Sequence, residues 1–284
     1  MRVLWVMGAL FVSVALAANT DLERAERLYN RTNYEESLKV LEASSQKDGR
    51  AYRLMGQNYF MLGDYKKATE ALSKAVELDP TSAESYHWLG KAYGRRAETS
   101  SPFTAPGYAS RARKAFEKAV ELDPKNVEAI NDLFEYYLQA PGFLGGGLDK
   151  AAALAKRIAE LDHVEGHYAQ ARLAEQQKQF GTAEEQLRRA VELAPQQIGR
   201  VIDLAKFLSH QGRIQESEQA FQLAEKINPN SPKLLFGRAE TYIRDKRNLA
   251  EARALLKRYL QAELTPDDPP RSEAERLLRE ASGG

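Results

Sequence analysis

The chain has 284 residues, with 41 Lys or Arg against 40 Asp or Glu, so its formal charge of +1 excludes the strongly basic surface of a dedicated nucleic-acid-binding protein. A hydrophobic content of 43% indicates a globular protein rather than a disordered one. The absence of cysteine excludes disulfides, zinc–thiolate sites and a cysteine nucleophile.

Residues 1–17 have the pattern of a secretory signal peptide. Arg2 supplies a positive charge, an apolar run follows, and Ala15-Leu16-Ala17 forms a small-x-small cleavage site. The apolar run is shorter than the roughly 20 residues that a membrane-spanning helix needs. The pattern predicts cleavage before Ala18 and export, to the periplasm or out of the cell. Retention of residues 3–17 as a membrane anchor is the alternative.

A string close to Ala-Val-Glu-Leu-Asp-Pro recurs along the rest of the chain. Its copies end at Pro80, Pro124 and Pro195, and a looser copy ends at Pro229. Each copy indicates a helix that is stopped by proline. The prolines lie 44, 71 and 34 residues apart, which fits a period of 34 residues with insertions.

This period, and the residues placed within it, resemble the tetratricopeptide repeat family. In the clearest copy, Gly56, Tyr59, Ala68, Leu72 and Pro80 occupy the characteristic positions. The resemblance implies an all-α fold, a right-handed α-α superhelix of about seven helix-turn-helix repeats. Gly56 and Ala68 are expected where paired helices approach most closely, with Tyr59 and Leu72 packed around them. The predicted repeats are residues 18–48, 49–82, 83–126, 127–163, 164–197, 198–231 and 232–265.

Two insertions interrupt turns between paired helices. About ten residues are inserted within 95–108 of the third repeat, and about five within 140–150 of the fourth. Such turns lie along one edge of a solenoid, so we expect the two loops to be neighbours. Aromatic side chains and a glycine run, which could present N–H groups to an anion, make the loops a candidate ligand site. The candidate residues are Phe103, Tyr108, Phe143, Gly145, Gly146 and Gly147. The alternative is that the loops pack together and the glycines only permit the turn.

After Pro269-Pro270, residues 269–281 have the pattern of a final amphipathic helix. Terminal repeats of a solenoid require a cover for their exposed apolar face. We therefore expect this helix to cap the last repeat.

The resemblance also implies a concave groove, lined by one stripe of the first helices. The candidate contacts are Arg50, Arg53, Gln57, His87, Lys91, Arg95, Asn131, Tyr168 and Arg172. The stripe is mostly basic in the second and third repeats and carries mixed charge farther on, with Glu135, Glu175, Lys206 and Glu240. A basic groove would suit an acidic or C-terminal peptide. The alternative is a solvated helix face.

The sequence contains no recognisable catalytic motif, phosphate-binding loop or clustered metal ligands. It therefore predicts a non-enzymatic scaffold, without cofactor or metal, that binds an extended peptide or a partner protein in its groove at the cell envelope. Small-ligand binding or an accessory enzymatic role at the inserted loops is the alternative. No nucleic-acid partner is expected, and membrane contact only if residues 3–17 are retained.

Overall fold

A computed structural model describes residues 20–283, and within that range the chain forms helices and turns but no strand. This confirms the all-α prediction. The predicted signal peptide, residues 1–17, lies outside the described residues. None of the described helices combines the length and the apolar character needed to cross a membrane.

The chain divides into two compact units, the first ending at Pro124 and the second beginning at Lys125. The helices of the first unit are α1 (residues 20–30), α2 (Tyr34–Ala43), α3 (Gly49–Met61), α4 (Tyr65–Leu78), α5 (Ala83–Glu98) and α6 (Ala105–Leu122). The helices of the second unit are α7 (Val127–Gln139), α8 (Leu148–Leu161), α9 (His163–Gln176), α10 (Phe180–Leu193), α11 (Ile198–His210), α12 (Ile214–Ile227), α13 (Pro232–Arg244), α14 (Leu249–Gln261) and α15 (Arg271–Gly283). Each unit is thus a series of helical hairpins.

The recurring prolines act as the sequence predicts. Helices α4, α6, α10 and α12 each end two residues before the proline of their own copy. Side-chain caps begin several of the first helices, because the carboxylate or amide oxygen accepts a hydrogen bond from an otherwise unpaired N–H group. Asp48 caps α3 in this way, and Asn126 caps α7. The local sequence therefore defines both ends of these hairpins.

Glycine and alanine allow the paired helices to approach closely. A Cβ atom added to Gly56 would lie 2.4 Å from Cγ of Leu72, and one added to Gly90 would lie 2.5 Å from the Phe116 ring. Ala68 and Leu72 are completely buried. The predicted role of these positions in packing is confirmed.

The insertion in the third repeat lengthens both helices instead of forming a long loop. Helix α5 has 16 residues and α6 has 18, which leaves only residues 99–104 between them. Arg95 to Glu98 continue α5, and Ala105 to Tyr108 begin α6, with Pro106 in the first turn, where its missing N–H group costs nothing. The expected loop over residues 95–108 is therefore wrong.

Helix α15 packs on α14 and α13 at the end of the second unit. Ala274, Leu277 and Ala281 form its buried face, and the guanidinium of Arg253 donates a 2.8 Å hydrogen bond to the Ala281 carbonyl. These contacts cover the apolar face of the last hairpin, as a terminal cap must.

Candidate binding groove

The second unit contains a cavity of about 770 Å³ along the first helices of its hairpins. We call it the second-unit groove. Its lining residues are Glu135, Gln139, Tyr168, Arg172, Glu175, Leu187, Asp203, Lys206, Phe207, His210, Glu240, Ile243, Arg244, Arg276, Leu277 and Glu280. They lie on α7, α9, α11 and α13, with one contribution from α10 and three from α15. The groove therefore combines apolar side chains with charged ones.

Arg172 of α9 joins two carboxylates across neighbouring helices. Its Nε atom and one terminal nitrogen donate to Glu135 of α7 at 3.0 and 3.1 Å, and the other donates to Glu175 at 2.7 Å. Nδ1 of His210 lies 3.8 Å from Glu175. Burial opposes the ionisation of Glu175, but the nearby His210 and the hydrogen bond from Arg172 outweigh it and lower the Glu175 pKa. Glu175 is thus charged at neutral pH.

Asp203 of α11 has much weaker partners. Its Oδ2 atom lies 3.3 Å from a terminal nitrogen of Arg200, yet it is buried and accepts no hydrogen bond from the described residues. Arg200 also lies 3.6 Å from Glu165, and its guanidinium sits 4.2 Å from the centre of the Tyr168 ring. Burial raises the pKa of Asp203, despite the opposing charge of Arg200, because the protein withholds water from the carboxylate.

The remaining charges of the groove are paired. Nζ of Lys206 donates to Glu240 at 2.6 Å, which joins α11 to α13. On α15, Arg276 contacts both Glu273 and Glu280. Leu187, Phe207, Ile243 and Leu277 supply the apolar part of the lining.

The repeat period is visible in these contacts. Asn131 pairs with Glu165, and Lys206 with Glu240, each across 34 residues, while Arg172 reaches Glu135 across 37. Equivalent positions of successive first helices therefore meet. For this reason, residues at the same position of successive repeats lie together on one surface.

Two of the predicted contacts, Tyr168 and Arg172, line the second-unit groove, and so do Glu135, Glu175, Lys206 and Glu240 of the same stripe. Asn131 is not among the lining residues, and its side chain donates to Glu165. Asp203, His210 and the α15 residues were not predicted. Position counting could have found His210, which lies on the same stripe four residues after Lys206. Asp203 lies beside the stripe on α11 and not at one of its repeat positions. The repeat pattern contains no signal for the packing of α15 against the groove.

The predicted basic stripe of the first unit is largely neutralised. Arg50 pairs with Glu26 at 3.1 Å, and Arg53 with Glu84 at 3.2 Å. Arg95 contacts Glu98 at 2.5 Å. These ion pairs remove much of the positive potential that the sequence suggested for this stripe.

The other members of the first-unit stripe are also engaged. Nζ of Lys91 lies 4.3 Å from the centre of the Trp88 ring. Gln57 and His87 are buried, with 7% and 4% of their surface exposed. Neither of these two side chains is available to a ligand, so their assignment as groove contacts is wrong.

The aromatic residues of the first inserted segment have different surroundings. Phe103 is 96% exposed in the short turn between α5 and α6. Tyr108 is held within the hairpin, because its ring stacks on Tyr93 and its hydroxyl accepts a 2.5 Å hydrogen bond from Arg96. The two side chains therefore do not form one site.

The glycine run of the second inserted segment is not an anion cradle. The N–H groups of Gly145, Gly146 and Gly147 donate to the carbonyls of Gly142, Pro141 and Tyr137. A Cβ atom at Gly146 would lie 1.8 Å from the Ala140 carbonyl oxygen, so only glycine fits there. These contacts agree with the alternative, in which the glycines permit the turn. Phe143 is 82% exposed, and the expected proximity of the two loops stays a prediction.

Comparison with known families supports the repeat period. Profiles described as tetratricopeptide repeat match residues 145–198, 202–269 and 107–126, and a profile described as TPR repeat matches residues 56–96. Together they cover more than half of the chain. A comparison with curated proteins finds no match.

Solved structures show the same fold. A tetratricopeptide repeat protein from Parabacteroides merdae aligns with a TM-score of 0.61 at 12% identity, over 94% of this chain and 99% of that one. A thermophilic TPR protein from Thermus thermophilus aligns with a TM-score of 0.55 at 23% identity, over 68% of this chain and 99% of that one. At these identities the likeness concerns the fold alone.

Proposed function

The chain belongs to the tetratricopeptide repeat family, and we propose that it is a non-enzymatic scaffold that holds an extended segment of a partner protein in the second-unit groove. Repeats of this family generally support protein interaction. The observation that carries the proposal is the convergence of Glu135, Arg172, Lys206 and Glu240, from four successive first helices, on one cavity.

The form of the groove suits an extended chain better than a compact ligand. Neighbouring packed helices lie about 10 Å apart, so four first helices span roughly 30 Å. An extended segment rises about 3.3 Å per residue and would cover that distance with about nine residues. Charged and hydroxyl groups of the lining could pair with its backbone, while Phe207 and Ile243 offer apolar contacts.

The absence of cysteine allows a direct test. Single-cysteine variants Gln139→Cys and Glu240→Cys place a photoreactive maleimide in the groove, and Glu192→Cys places it at an exposed position of α10 as a matched control. The full chain is irradiated with an envelope extract, and cross-linked peptides are sequenced by mass spectrometry. We expect the two groove positions to label the same partner segments and the control to miss them. Equal labelling from Glu192→Cys would contradict the proposal.

We further propose that the scaffold acts after export, at the cell envelope. The support is the signal-peptide pattern of residues 1–17. Mass spectrometry of the native N-terminus should find a chain that begins at Ala18. An N-terminus at Met1 in the cytosolic fraction would contradict export.

A further inference from the structure

The carboxylates of the groove wall outnumber its cations. On α7, α9 and α11, Arg172 is shared by Glu135 and Glu175, and Arg200 is shared by Glu165 and Asp203. Two cations therefore face four carboxylates. Lys206 donates to Glu240 of α13, and its charge also acts on Asp203. With these two residues included, three cations face five carboxylates. The charged network leaves this wall with an excess of negative charge.

The four carboxylates are not equally compensated. Glu135 and Glu175 accept hydrogen bonds of 2.7–3.1 Å from Arg172. Asp203 accepts none from the described residues, and two nitrogens of Arg200, Nε and the terminal nitrogen nearest to Asp203, are also without a hydrogen-bond partner. The guanidinium of Arg200 lies between Glu165 and Asp203 and donates a hydrogen bond to neither carboxylate. Asp203 is the carboxylate of this wall with the most to gain from another donor.

Asp203 is also positioned to reach a ligand. It lines the cavity, and 24% of its side chain is exposed although Oδ2 is buried. A carboxylate that lines a groove and is largely enclosed by protein is a favourable partner for a cationic donor, because low dielectric strengthens the attraction.

We propose that Asp203 binds a Lys or Arg side chain of the extended partner segment. This inference rests on the proposed function and adds the chemistry of the partner, which is basic at the position opposite Asp203. The sequence predicted an acidic ligand from the basic stripe of the first unit, whereas this proposal predicts a basic ligand in the second-unit groove. The raised pKa of Asp203 is consistent with it, since a bound cation would relieve the cost of the buried charge.

The test is a selection from a displayed library of random peptides, using the full chain and its Asp203→Asn, Asp203→Glu and Asp203→Lys variants. We expect Lys or Arg to be enriched at one peptide position with the native chain and with Asp203→Glu. Asp203→Asn should lose the enrichment, and Asp203→Lys should select Asp or Glu there. Glu192→Lys, an exposed charge reversal on α10, is the matched control and should select the same peptides as the native chain.

Affinity then measures the contact. Replacing the enriched Lys of a selected peptide with Gln should weaken binding to the native chain about tenfold or more, the usual strength of a charge-assisted hydrogen bond. The same replacement should change binding to Asp203→Asn by less than about threefold if Asp203 is the partner. Thermal melting of each variant, followed by circular dichroism, verifies that it is folded.

The outcomes separate the two proposals. Selected peptides that require groove residues but carry no preferred Lys or Arg would overturn the role of Asp203. The same holds if Asp203→Asn still selects the Lys or Arg. In both cases the proposed peptide groove remains supported. A selection that yields no peptide, or only peptides that cross-link outside the groove, contradicts both.

Discussion

Glu218 of α12 accepts hydrogen bonds from three side chains. One terminal nitrogen of Arg247 donates at 2.7 Å, and Arg238 and the Tyr242 hydroxyl each donate at 2.9 Å. Burial opposes the charge on Glu218, but these donors prevail and lower its pKa. The contrast with Asp203, whose pKa is raised, shows that hydrogen-bond donors decide the direction in which burial and its partners shift the pKa of a carboxylate.

The lowered pKa of Glu218 predicts a pH-dependent contribution to stability. Since the pKa is lower in the folded chain than the ordinary value of about 4.3, Glu218 stabilises the fold above that value and loses this effect as pH falls. Glu218→Gln should reduce the free energy of unfolding by roughly 1–3 kcal/mol at neutral pH. The difference from the native chain should shrink progressively as pH falls below about 5, measured by urea denaturation.

Glu192→Gln is the control for this prediction. Glu192 pairs with Arg189, but both side chains are 60% exposed, so the substitution should change stability by less than about 1 kcal/mol at any pH. A difference for Glu218→Gln that does not vary with pH would mean that packing, rather than charge, explains its effect.

At the scale of the helical hairpin, the approach of α3 to α4 depends on a missing side chain. Gly56→Ala would gain up to about 1 kcal/mol in helix propensity. Its new methyl group would, however, lie 2.4 Å from Cγ of the buried Leu72, which cannot move freely. Overpacking of this kind costs roughly 1–3 kcal/mol. We therefore expect a lower melting temperature, measured by calorimetry.

Gly94→Ala tests the same substitution without the contact. Gly94 lies within α5, and nothing lies within 4 Å of the position of its Cβ atom. This variant should melt at a higher temperature than the native chain, because helix propensity alone then acts. Equal effects of the two substitutions would show that the α3–α4 approach does not depend on Gly56.

The hairpins also show what the sequence could and could not predict. Gly56, Leu72 and the recurring prolines were predictable, because close packing and helix termination depend on local residue type. The departure from the 34-residue period located the insertion near residues 95–108. The period could not show whether the extra residues form a loop or lengthen two helices. Arg95 to Glu98 are ordinary helix formers, so helix extension was as compatible with the sequence as a loop.

At the scale of the whole molecule, the groove was only partly predictable. The stripe of Tyr168, Arg172 and Lys206 follows from the repeat period alone. The pairing of each charge does not, because ion pairs join residues 34–37 positions apart and depend on which rotamers meet. The prediction from sequence rested on the number of basic residues in the stripe. The electrostatic potential of the surface depends instead on how many carboxylates pair with each basic residue.

The cap α15 should stabilise the second unit from its end. A chain that stops at Pro270 loses the buried contacts of Ala274, Leu277 and Ala281 and exposes the apolar face of α13 and α14. In a repeat array each hairpin depends mainly on its neighbours, so the loss should be graded along the unit. Hydrogen exchange followed by mass spectrometry should show the greatest loss of protection in α13 and α14, less in α11 and least in α7.

A chain that stops at Ala281 is the matched control, because the residues it lacks include no buried side chain among those described. It should exchange like the native chain, whereas Leu277→Ala, which keeps α15 but leaves a cavity, should cost about 2–5 kcal/mol and expose mainly α13 and α14. A uniform loss of protection through α7 to α15 would mean that the second unit opens as one cooperative body. In that case α15 would determine whether the groove exists at all, since Arg276, Leu277 and Glu280 also line it.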